Sequence, residues 1–126
     1  MSVIISPAEL AQLRSAVSDI ADAMVALDTI EDCEGDVEDA AIALAIRAGQ
    51  QPTESDRWLE GFAKRWRFLM CRPTMRTYLM EENVAEAFNL LTLETDIPLA
   101  LGMPLIIYVL KVGVEEFCHV LGEKLA

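Results

Sequence analysis

Apolar residues at Leu10, Leu13, Val17, Ile20, Met24 and Leu27 recur at alternating intervals of three and four. That spacing lays one greasy seam along a helix, and polar residues such as Gln12, Arg14, Ser18 and Asp22 take the other sides. Ser6-Pro7-Ala8-Glu9 starts it: a capping serine, a proline at the first helical position and a glutamate three residues after the cap. The seam predicts one amphipathic helix of about six turns. Val3-Ile4-Ile5 before it reads as a short extended arm.

The pattern changes at Ile97–Val114, IPLALGMPLIIYVLKVGV, where Lys111 is the only charged residue. A segment apolar on every side must be surrounded by protein. A central helix is expected from Met103 or Pro104 toward Leu121, with the other helices wrapped around it. At 18 residues, with a lysine, two prolines and two glycines, the segment falls short of the roughly 20 apolar residues a membrane span needs.

Between these two lie shorter patterns. Asp36 and Asp39 mark the start of a helix over Val37–Ala48, alanine-rich and so able to approach its neighbours closely, with Gly49 as its stop. Thr53 and Asp56 open a third helix whose inner face is Leu59, Phe62, Trp66 and Leu69, with Trp58 and Met70 at its margins. Pro73 ends it and suits the start of a short helix to Met80. Asn83 and Glu86 open a fifth, with the stripe Val84, Ala87, Phe88 and Leu91, and Thr92–Pro98 reads as a connection. No β-branched, turn-flanked run of the kind strands need is present. The expected fold is all-α: a single domain over 1–126, a compact bundle of five or six helices around the apolar C-terminal helix.

Composition supports a packed core, since 53% of the 126 residues are hydrophobic. The net charge of −11 disfavours nucleic acid and anionic membranes as partners. The charge is also segregated. Seven of the twelve residues Asp28–Asp39 are acidic and none is basic. Six of the ten lysines and arginines fall within 57–76. The two segments can attract each other within one chain, across a dimer, or toward another protein; Arg57, Lys64, Arg67, Arg72 and Arg76 are the candidate interaction residues, facing an acidic patch. Charge of this kind orients and accelerates encounter more than it stabilises. Phe62 and Trp66 point coreward at this spacing, which removes them from any base-stacking role.

Candidate chemistry is thin. Glu116 and His119 are three apart on a helix, half of a di-iron arrangement, but His119 is the single histidine. Glu81, Glu82 and Glu86 lack the EExxE…ExxD spacing with which all-helical nucleotide pyrophosphohydrolases hold magnesium. Asp32–Asp36 has a passing likeness to a calcium loop, but Gly35 is not at the sixth position and no glutamate closes the loop at the twelfth. Cys118 and His119 are adjacent, and helical neighbours diverge by about 100°. Cys71 sits among arginines, which would activate a free thiol. Cys33, Cys71 and Cys118 are odd in number and without CxxC spacing, which reads as reduced thiols in a cytoplasmic protein. Met75, Met80 and Met103 could floor an adaptable apolar pocket. No signal peptide, cofactor, metal site or catalytic residue is expected. The leading functional expectation is a cytoplasmic protein–protein interaction or regulatory module without catalysis. The alternative is a metal-dependent all-α hydrolase using clustered helix carboxylates.

Overall fold

The computed structural model describes residues 3–50 and 58–125, with side chains as far as His119. These residues form nine helices: α1 (Pro7–Ala16), α2 (Ala21–Asp32), α3 (Val37–Arg47), α4 (Trp58–Arg65), α5 (Arg67–Met70), α6 (Pro73–Met80), α7 (Val84–Glu94), α8 (Leu99–Val112) and α9 (Val114–Leu125). The all-α expectation holds; five or six helices was too few. The extra elements come from three breaks inside stretches whose apolar pattern runs on uninterrupted.

The first break splits the long seam. The α1 helix closes at Val17, whose N–H bonds back to the Leu13 carbonyl, and α2 begins after Ile20. Ser18 and Asp19 occupy the turn, residues that compete with helical hydrogen bonding. Leu10, Val17 and Leu27 are still buried, so the seam does its packing work across the bend. The second break is at Trp66, between α4 and α5. The third is Gly113, whose φ of +103° and ψ of 128° end α8 and let α9 leave in a new direction.

The α8 helix is the centre. It packs against α2, α3, α4, α7 and α9, and every residue from Leu101 to Val109 is buried. It starts at Leu99, earlier than Met103 or Pro104, and it stops at Gly113 rather than running to Leu121. Pro104 lies inside the helix and withholds one backbone donor from it. Gly102 lets α7 approach: a Cβ there would meet the Phe88 ring at 2.7 Å.

The smaller elements follow their local signals. Glu9 N–H donates to Ser6 Oγ at 3.1 Å, and Ser6 N–H donates to Glu9 Oε1 at 2.9 Å, a complete capping box. Asp36 Oδ1 accepts from Asp39 N–H at 3.1 Å and caps α3. The α6 helix spans Pro73–Met80 as expected, and the Val84, Ala87, Phe88, Leu91 stripe of α7 is buried. Asn83 flanks α7 without a side-chain capping bond. The proposed start at Thr53 and Asp56 lies outside the described residues.

The N-terminal arm is tied to the turn before α3. Ile5 N–H donates to the Gly35 carbonyl and Val37 N–H to the Val3 carbonyl, both at 2.9 Å. Gly35 is needed there twice: its φ is +85°, and a Cβ would lie 2.3 Å from the Ile5 carbonyl oxygen. Gly35→Ala is expected to cost at least about 1–2 kcal/mol from the left-handed backbone alone. Denaturant titration would measure it, with loss of hydrogen-exchange protection at Ile5 as the local sign.

The cysteines depart from the expectation of reduced thiols. Cys71 and Cys118 form a disulfide across 47 residues of sequence, with Cα atoms 5.7 Å apart. Neither is a reduced thiol, and neither is a nucleophile. Only Cys33 is free. Burial and the neighbouring Asp39, Asp36 and Asp32 push its thiol up, against the pull of Arg47, so it is the less reactive for its surroundings. No helix among the described residues is long and apolar enough to cross a membrane.

Candidate interaction surface

The basic stretch folds as three short helices laid against α9, α8 and α7. In α4, Leu59, Phe62 and Ala63 are buried, which turns Lys64 and Arg65 outward. Trp58 stacks on Phe62 at 5.2 Å and Trp66 meets the same ring edge-on at 6.4 Å. Phe62 is therefore core, as its spacing implies, and Trp66 is half-buried beside it. In α5, Leu69 and Met70 are buried and Phe68 is left 67% exposed.

Each described arginine of this face lies on an aromatic ring or a carboxylate. Arg65 lies 5.9 Å from the Phe62 ring centroid, Arg67 4.7 Å from that of Phe117, and Arg72 5.6 Å from that of Phe68. Arg72 also reaches Glu94 at 3.7 Å, and Arg76 pairs with Glu115 at 3.0 Å. Among the described residues, the carboxylates ion-paired to Arg72 and Arg76 thus come from α7 and α9. The acidic run has a different cation: Arg14 pairs with Asp28 at 2.6 Å and Glu31 at 3.3 Å. Within that run Glu38 is buried, and Asp36 is committed to its cap.

Of the five candidate residues, Arg57 lies outside the described residues. Lys64 and Arg67 share a cleft of about 290 Å³ with Glu60, Tyr108, Glu116 and Phe117. Arg67 Nε, at that cleft, is buried without a hydrogen-bond partner among the described residues. Burial pushes the Tyr108 hydroxyl up, Glu60 and Glu38 push it further, and Arg67 opposes them. Arg72 sits apart with Phe68 and Glu94, and Arg76 with Glu115. Phe68 is one of the aromatics interleaved with the arginines in sequence; Glu94 has no local signal that marks it out.

The face is held in place by α9. Val114, Phe117 and Cys118 form its buried stripe. The disulfide joins Cys118 to the end of α5, Glu115 is paired to α6 through Arg76, and Phe117 packs edge-on against Tyr108 of α8 at 6.3 Å.

Other chemistry finds little support in the geometry. Among the described residues, no group of three or more His, Cys, Asp or Glu side chains converges to hold a metal ion. The supposed methionine pocket is not formed: Met75 and Met103 are fully buried core, whereas Met80 is 58% exposed.

At the opposite side of α8, Lys111 pairs with Glu9 at 2.7 Å. The Lys111 ammonium, and then the Ser6 N–H, hold the Glu9 carboxyl below its ordinary value. A depressed folded-state value means that the carboxylate's stabilisation is present above about pH 4.5 and is lost as pH falls through the depressed value. The pair is partly exposed, so the effect is expected to stay below about 1 kcal/mol. Urea titrations of the native protein and Glu9→Gln should converge in acid and separate near neutrality.

Comparison of the chain with protein-family models, with curated proteins and with solved structures finds no match.

Proposed function

We propose that the chain is a helical protein–protein interaction module, without catalysis, that takes an acidic segment of another protein on the face of α4, α5 and α6. The observation that carries this reading is Phe68, 67% exposed beneath the Arg72 guanidinium and preceded by Lys64 and Arg65. A lone surface leucine needs no explanation, but an exposed aromatic among arginines has the composition of interface hot spots. Burying a phenylalanine contributes about 1.5–3 kcal/mol. Arg72 and Arg76 act here through surfaces they share with Glu94 and Glu115, so their role is to shape and orient. Lys64 supplies the more available charge, and Arg57 belongs to the same proposal on sequence grounds.

A second copy offering its acidic run is the competing occupant. The −11 net charge makes copies repel, which favours a different protein. The cytoplasmic assignment has lost its argument, since disulfides persist in oxidising compartments and are rare in the cytosol.

The test is selection of binders from a displayed peptide library, followed by titration against variants. Binders rich in Asp, Glu and aliphatic residues are expected, weakening with salt. Phe68→Ala should weaken them by about 30-fold, the scale of a hot-spot truncation, and Arg72→Glu should weaken them as well. Selected peptides indifferent to both changes would overturn the assignment of this face, and a salt-dependent rise in mass of the protein alone would move it to self-association.

A further inference from the structure

A second surface feature lies away from the basic face. Between α1, the start of α7 and the last turns of α8 runs a groove of about 440 Å³. That volume falls in the range of small-molecule sites. Leu13, Val84, Ile107 and Leu110 supply its apolar lining. Of its charged groups, Glu9 and Lys111 neutralise each other at 2.7 Å, and the other oxygen of Glu9 accepts the Ser6 N–H.

That leaves Glu82. It borders the groove, is exposed, and pairs with no cation of the described residues. It has a φ of +56° just past the end of α6, where Asn83 N–H bonds back to the Tyr78 carbonyl at 2.8 Å. Glycine is the residue that position favours, and a glutamate there carries strain that glycine would not. That bond and the left-handed residue are the usual way a helix ends, so the backbone needs no ligand to explain it; what the groove gains is an exposed carboxylate with no cation among the described residues. Glu34 shares the conformation, but the groove it borders already contains Arg14.

We propose that this groove binds a small primary alkylammonium ion, its stem on the aliphatic lining and its charge on Glu82, with the Gln12 side chain at the same rim available as an acceptor. The Glu9–Lys111 pair closes the groove to carboxylates by occupying the one lysine that could receive them.

The experiment is an NMR titration of the intact protein with n-hexylammonium, with hexan-1-ol and hexanoate as matched probes. Saturable shifts at Leu13, Val84 and Leu110 are expected, with hexylammonium binding about fivefold more tightly than either other probe, the upper end for a single exposed charge. Glu82→Gln should erase that preference. Glu82→Gly should erase it too while raising the melting temperature, which separates loss of binding from loss of folding. Absence of saturable shifts up to the solubility of hexylammonium, equal or tighter binding of hexanoate, or an undiminished preference in Glu82→Gln would each overturn the proposal.

Discussion

Truncating Leu105 or Ile106 to alanine is expected to cost about 2–5 kcal/mol each. Both side chains are fully buried on α8. Each deletion removes apolar atoms from a site bounded by other helices, so the cavity collapses only in part. The energetic loss is then the transfer term plus the missing dispersion contacts. Leu93→Ala is the matched control. Leu93 is 83% exposed, so its truncation should change stability by no more than about 0.5 kcal/mol. Urea-induced unfolding followed by circular dichroism measures all three. Equal costs at Leu105 and Leu93 would mean that α8 is not enclosed as described.

The second large effect is expected from the disulfide. Opening the Cys71–Cys118 bridge releases a loop of 47 residues in the unfolded chain. Chain-entropy arguments and measured cases put the loss at about 2–4 kcal/mol. Its consequence in the folded state is local. Without the bond, α9 keeps the Arg76–Glu115 pair, the Phe117–Tyr108 contact and the Arg67 stack, of which the ion pair is exposed and worth little. The double variant Cys71→Ala/Cys118→Ala should therefore melt about 10 °C lower or more, and the oxidised protein should show the same drop on adding dithiothreitol. Cys33→Ala should not reproduce it, because Cys33 is free and only half-buried. Identical melting with and without reductant would show that α9 is held by packing alone.

Much of this architecture was legible in the chain. The Ser6–Glu9 capping box, the Asp36 cap, the Pro73 start and the α7 stripe each depend on residues within four positions of one another. The enclosed position of α8 follows from a run with no polar face to turn toward water. The breaks were not legible, because hydrophobic spacing records which side a residue faces and continues unchanged through a bend. Val17 and Leu27 are buried on either side of a turn for that reason. Proline favours a first helical turn, so the sequence points to Met103 or Pro104 as the start of α8, whereas the helix begins at Leu99 and carries Pro104 internally. The disulfide was hidden by distance: nothing near Cys71 in sequence shows that α9 returns to it.

The interaction face was legible only as charge. Sequence showed where arginines gather, and spacing showed which aromatics turn inward. It did not show that Glu94 and Glu115 would meet Arg72 and Arg76, or that Phe68 would remain outside. Those are long-range consequences of packing α6 and α9 around α8. The positive segment and the acidic run consequently do not neutralise each other through any ion pair among the described residues; Arg14 serves the run and α7 and α9 serve the arginines.

Native-state hydrogen exchange reaches the central claim most directly, because it reads the stability of each helix in the same sample. If α8 is the enclosed element, the amides from Met103 to Val109, Pro104 excepted, exchange only through global unfolding, while α1, with Leu10 as its one buried residue, opens at lower free energy. Exchange in α8 as fast as in α1 would contradict the account.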